Sequence, residues 1–133
     1  MDNEETRRER SNRLTEKIIG CAIEVHKRLG PGLLESAYEE CLCYELSQLN
    51  ISFERQVAMP LPYKGVKLEC GYKIDLVIDD LVIIELKTVE RFHPIHEAQL
   101  LSYLKLDGKK LGLLINFHVP VLRDGIKRVV NSF

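Results

Sequence analysis

The run Leu81-Val-Ile-Ile-Glu85-Leu-Lys87-Thr-Val89 constrains this chain more than any other segment. Leu81 to Ile84 is apolar at every position, the pattern of a strand covered on both faces. Such a strand lies inside a sheet, with packed layers above and below it. Glu85 and Lys87 interrupt or adjoin the run, and residues two apart on a strand point to the same side. A buried strand tolerates ionised groups only when they are paired or bound to something. Asp75 sits likewise in the preceding apolar stretch, on the face opposite Ile74, Leu76 and Ile78.

The rest of the chain supplies the layers. Leu14, Ile18, Ala22, Val25 and Leu29 recur at three- and four-residue steps, one face of a helix that Gly30-Pro31-Gly32 ends. A second helix is predicted from about Leu33 to Leu49, burying Leu34, Ala37, Tyr38, Cys41, Leu42 and Leu49. Ile51 to Tyr63 reads as an edge strand or a strand with an irregular end, because it contains Pro60 and Pro62. Lys64-Gly65 reads as a hairpin turn, and Val66 to Ile78 as the next strand, with Tyr72, Ile74, Leu76 and Ile78 on one face. His93-Pro94 opens a third helix that ends near Asp107-Gly108, and strands follow at Leu111–Phe117 and Ile126–Val130. The expected fold is α/β, with a mixed central β-sheet flanked by helices and the order ααβββαββ. Residues 1–12, charged and aperiodic, are expected as a flexible tail, with 13–133 as a single domain.

Composition sets outer limits. A chain of 133 residues, 45% hydrophobic and 29% charged, is ordinary globular material. No apolar run approaches the roughly 20 residues a membrane helix needs, so no membrane association is expected. The first ten residues contain no apolar segment that could act as an export signal, so a cytoplasmic location is expected. Cys21, Cys41, Cys43 and Cys70 lack paired CxxC spacing and read as reduced, mostly buried thiols. A formal net charge of −1 neither supports nor forbids a phosphate-rich partner. Lys105, Lys109, Lys110, Arg123, Lys127 and Arg128 form either a phosphate track or, more ordinarily, a solvated charged face.

A two-residue loop at Asp79-Asp80 would pair Asp75 with Ile84 and send Glu85 to the other side. A three-residue loop, Asp79-Asp80-Leu81, or one bulge shifts the register by one. Asp75 then lies opposite Glu85, with Cβ atoms roughly 4.5–5.5 Å apart. The odd loop is the expectation, because a shared metal site requires it. Two converging carboxylates suit Mg²⁺ or Mn²⁺, hard ions that take oxygen ligands and keep several waters. Such an ion can bind a phosphate oxygen and acidify a water, and Lys87 beside it could hold that water or steady developing charge. The plain alternative is a Glu85–Lys87 salt bridge at a strand end. Two further pairs share helix faces: Glu35 with Tyr38, and Gln99 with Tyr103. Taken singly, each also reads as a solvent-facing or packing pair.

Gly32-x-x-Glu35-x-x-Tyr38, with Asp75, Glu85-x-Lys87 and Gln99-x-x-x-Tyr103, resembles the GxxExxY family of the PD-(D/E)XK nuclease superfamily. The resemblance runs from about Leu14 to the C-terminus, and it implies a restriction-endonuclease-like core. It implies Asp75, Glu85 and Glu35 as metal ligands, Lys87 as the catalytic lysine, and Mg²⁺ or Mn²⁺ as cofactor. Gln99 and Tyr103 match the QxxxY motif of RecB-type nucleases and, with Tyr38, are expected to position substrate. Ile74 stands where the name-giving pattern has proline. His26 resembles an accessory metal ligand of some RecB-type sites, though a packing or capping histidine is the commoner outcome. His93 and His96 flank the start of the third helix, within reach of a phosphate or simply exposed, and His118 carries no assignment.

The leading expectation is therefore a divalent-metal-dependent nuclease hydrolysing phosphodiester bonds of nucleic acid, with DNA as the favoured partner. The alternative is a catalytically weak or inactive nuclease-fold module for nucleic-acid binding or protein assembly. A homodimer or a partner protein could add the surface such a small chain lacks. Hydrolysis of a small phosphate ester is a weaker third reading.

Overall fold

Thr6 starts the first helix. In the structure, a computed structural model that describes residues 5–132, the Thr6 hydroxyl accepts the Glu9 N–H at 3.1 Å. The Glu9 carboxylate in turn accepts the Thr6 N–H at 2.9 Å. This reciprocal box satisfies two of the donors a helix leaves open at its start. Helix α1 (Arg7–Leu29) consequently begins inside the stretch expected as a flexible tail, and residues 7–12 of it are helical. The apolar period misses this stretch because residues 7–10 are exposed and its one buried residue, Ser11, is polar, its carbonyl accepting the Thr15 hydroxyl. Residues 1–4 of that expected tail lie outside the described residues.

Helix α2 (Glu35–Gln48) buries Tyr38, Leu42 and Leu46 along one stripe, flanked by Glu39 and Cys43. Leu34 and Leu49, expected in the core, are exposed because they lie just outside the helix at its two caps.

Five strands form the main sheet: β1 (Phe53–Ala58), β4 (Lys73–Ile78), β5 (Val82–Lys87), β6 (Leu111–Asn116) and β7 (Ile126–Val130), in the order β1-β4-β5-β6-β7. Only β5 and β6 run parallel, joined through helix α3 (Pro94–Asp107), so the sheet is mixed. The run that opens at Leu81 supplies the middle strand. Strands β2 (Leu61–Tyr63) and β3 (Val66–Leu68) form a separate hairpin turning at Lys64-Gly65. The two long strands expected on either side of that turn each divide in two, at Met59-Pro60 and at Glu69–Tyr72. With this inserted hairpin set aside, the core order is ααβββαββ, consistent with a restriction-endonuclease-like fold.

Helices α1 and α2 cover one sheet face, packing Ile18, Val25, Tyr38 and Leu42 against Leu76, Ile84, Leu86 and Ile115. Helix α3 covers the other through Leu100, Tyr103 and Leu104, against Ile74, Val77, Ile83 and Leu114. Ile74 thus packs away from Leu76 and Ile78, against the expected alternation. The cause lies between them: β1 and β4 pair on both sides of Gln56 and Asp75 but not at these residues, and Gln56 takes a φ of 49°. Among the described residues no helix is long and apolar enough to cross a membrane.

Gly125 ends the 3₁₀ turn Leu122–Gly125 directly against β6, where an added Cβ would collide with the Asn116 carbonyl oxygen. Backbone cannot yield as a flexible side chain can. Gly125→Ala is expected to cost about 3 kcal/mol or more, measured as the denaturation midpoint; an unchanged midpoint would show that the turn relaxes freely.

Candidate active site

The β4–β5 connection is a three-residue loop. Asp79 and Asp80 adopt φ of 52° and 54°, and the Leu81 N–H donates to the Ile78 carbonyl at 3.0 Å. Aspartate tolerates this left-handed region better than most residues. The register is Ile78↔Val82, Val77↔Ile83 and Leu76↔Ile84. Carried one step further it sets Asp75 opposite Glu85, as the odd loop requires.

At that step the carboxylates replace ladder acceptors. The Asp75 N–H donates to Glu85 Oε2 at 2.9 Å, and the Leu86 N–H donates to Asp75 Oδ2 at 2.8 Å. Each acid is locked by backbone of the opposite strand, while Glu85 Oε1 and Asp75 Oδ1 lie outside these two bonds. The Gln56 amide reaches Asp75 Oδ1 at 3.3 Å and donates to Glu39 at 2.8 Å; Glu39 is also ion-paired with Arg55 at 2.9 Å. Gln56, Glu39 and Arg55 therefore form a polar brace behind Asp75. Nothing in their spacing announced this role, which depends on the irregular backbone at Gln56.

Glu85 is 5% exposed, and burial pushes its carboxyl up to about 8, with the Asp75 charge adding to the effect. The Asp75 N–H and Lys87 oppose the shift. Burial also raises Asp75, against the pull of the Leu86 N–H and the Gln56 amide. Glu35, the first residue of α2, is raised by the packing around its carboxyl; Lys87 opposes this and Asp75 reinforces it. The Thr88 backbone N–H stabilises its ionised form. Three acids thus share one field with Lys87. Among the described residues Lys87 closes no ion pair, so the salt-bridge alternative is not realised.

Glu35 owes its place to the residues around it. Gly30 and Gly32 take φ of 68° and 103°, turning the chain out of α1. The Tyr38 hydroxyl donates to the Gly30 carbonyl at 2.6 Å and accepts the Leu33 N–H at 3.1 Å. Its ring stacks on Phe117 with centroids 4.3 Å apart. Tyr38, expected to position substrate, is fully buried; it ties the glycine turn to α2, whose first residue is Glu35. His26 is likewise a packing residue: its Nε2 bonds the Val119 carbonyl at 2.8 Å and its ring lies near Phe117, not on the carboxylates.

On the other face, Tyr103 is raised first by burial and then by Glu85, with Asp75 contributing, and Gln99 lies one turn earlier on α3. His96 Nδ1 accepts the His93 N–H at 3.0 Å, and His93 Nδ1 accepts the Ile95 N–H at 3.1 Å, so both rings cap α3. Asn116, paired in register with Lys87, holds the following segment through bonds to both backbone groups of Val89. Much of the basic cluster is occupied internally: Lys109 pairs with Asp80 and Asp107, and Lys127 with Glu97.

The family model of the PD-(D/E)XK nuclease superfamily matches residues 12–129, and the chain belongs to that superfamily. No curated protein and no solved structure gives a significant match.

The donor set fits a hard divalent cation, because crowded carboxylates whose charges raise one another leave a field that a cation relieves. Among the described residues no group of three or more histidine, cysteine, aspartate or glutamate side chains is arranged to hold a metal ion. The tight unit is Asp75 with Glu85, as suits an ion that keeps positions for water and substrate.

Two predictions follow from these bonds. The fold favours neutral Glu85, so without metal the wild type loses stability as pH rises from the ordinary glutamate value through about 8. In chelator, Glu85→Gln should melt close to wild type at pH 5 but at least about 5 °C higher at pH 9; a pH-independent gap would sink the assignment. Tyr38→Phe strands the Leu33 N–H and the Gly30 carbonyl and should cost about 1–3 kcal/mol in urea denaturation. Wild-type stability would mean the two bonds contribute nothing net.

Proposed function

We propose that this chain is a divalent-metal-dependent nuclease of the GxxExxY type that hydrolyses phosphodiester bonds of DNA. The observation that carries the reading is the interlocked pair Asp75 and Glu85, cross-bonded to opposing backbone, with Lys87 on the same strand as Glu85 and making no ion pair among the described residues. A structural salt bridge would have consumed that lysine.

Asp75, Glu85 and Glu35 would hold Mg²⁺ or Mn²⁺, which when bound supplies Lewis acidity at the scissile phosphate. Lys87 would donate hydrogen bonds from its ammonium group, orienting the attacking water or steadying the oxygen on which charge develops. The Gln56–Glu39–Arg55 brace restricts Asp75 to one orientation, so little reorganisation is needed during reaction. Tyr103 and Gln99 position the strand from the α3 side. Tyr38 acts at one remove, by holding the turn that delivers Glu35.

Circular single-stranded and supercoiled DNA, incubated with Mg²⁺, Mn²⁺ or chelator, provide the test. Metal-dependent cutting is expected, falling by about 10²-fold or more in Lys87→Ala. Absence of cutting in every metal, or equal cutting by the variant, would defeat the reading and favour a binding module.

A further inference from the structure

Beside the carboxylates, between α3 and the base of the β2–β3 hairpin, lies an open groove of about 450 Å³. Leu61, Tyr72, Ile95, Gln99, Tyr103 and Leu106 line it. Tyr72 and Tyr103 meet edge to face, with ring centroids 6.2 Å apart. Tyr72 remains 45% exposed and Ile95 61% exposed, so the groove presents a half-open aromatic ring and an apolar floor to solvent.

We propose that this groove is a subsite for one unpaired nucleobase of a single-stranded nucleic acid whose phosphate lies at Asp75 and Glu85. The proposal rests on the nuclease reading for the position of that phosphate. Four features favour a base as occupant. The volume falls in the range of small-molecule pockets. The walls combine an aromatic face, which stacks on any base, with the Gln99 amide, which both donates and accepts at a base edge. The groove adjoins the site through Tyr103, which lines it, packs in one cluster with Ile74 and Ile83, and feels the charges of Glu85 and Asp75. The segment that contributes Leu61 and Tyr72 to it is basic: Lys64, Lys67 and Lys73 are exposed there against Glu69 alone, which suits a flanking phosphate backbone. A base inside a duplex is stacked and paired, so it cannot enter such a groove without being extruded. The geometry therefore selects single strands.

The test uses the full chain carrying Lys87→Ala, in chelator, so that binding is read without cleavage. Anisotropy of short labelled strands is compared with the same sequences as duplex, and with strands lacking one base at each position in turn. Tighter binding of single strands is expected, with one position at which loss of the base costs on the order of tenfold in affinity. Adding Tyr72→Ala should cost the same for single strands, add nothing further at that position, and leave duplex binding alone. Tyr72→Phe should restore the affinity, and Ile95→Glu, at an exposed helix position, should repeat the loss. A flat scan across base positions, or equal loss for single strand and duplex, overturns the subsite. Metal-dependent cutting by the parent chain with a flat scan would remove the subsite alone. A peaked scan without cutting would remove the nuclease reading alone.

Discussion

Where β4 and β5 would continue their ladder at Asp75 and Glu85, the backbone bonds stop and the two carboxylates take them over. This substitution is the constraint on which the rest of the structure depends. Two buried acids facing each other would repel, but each accepts an N–H from the opposing strand, which stabilises the charged form it otherwise resists. The arrangement survives only if the register is held to one residue. The loop with two left-handed aspartates does this from one end, and the Gln56 brace from the other. The change of face by Ile74 is a consequence, since a ladder interrupted at Asp75 cannot carry its alternation through.

The two covering layers divide the work of delivering the remaining groups. On one face, α1 ends in a glycine turn and α2 begins at Glu35; Tyr38 bonds to that turn and stacks on Phe117 beyond the end of β6. The Gly32-x-x-Glu35-x-x-Tyr38 stretch thus serves to place one acid: glycine provides the turn, and tyrosine ties that turn to the helix that begins at Glu35. On the other face, α3 brings Tyr103 beside Glu85 and opens a groove against the hairpin. Asn116, at the end of β6, holds the segment that follows Lys87 through the backbone of Val89.

The apolar run beginning at Leu81 determined by itself that a central strand exists, because no other arrangement buries four consecutive large apolar side chains so simply. Strand period and helix period then marked most of the core, and the need for Asp75 to meet Glu85 selected the odd loop in advance. Legibility ended where local pattern and local role part company. The start of α1 was hidden because its first residues are exposed and its first buried residue, Ser11, is polar, and Tyr38 looked chemical because polar residues at helical spacing carry no record of what they face. Gln56, Glu39 and Arg55 could not be read at all, since their partnership depends on one non-glycine residue at positive φ. Sequence thus determined which elements form and which acids must converge, because these follow from periods of two and 3.6 residues and from the cost of burying charge. Tertiary structure alone decided which polar groups point into the site and which are spent on holding it, because that depends on contacts between residues far apart in the chain.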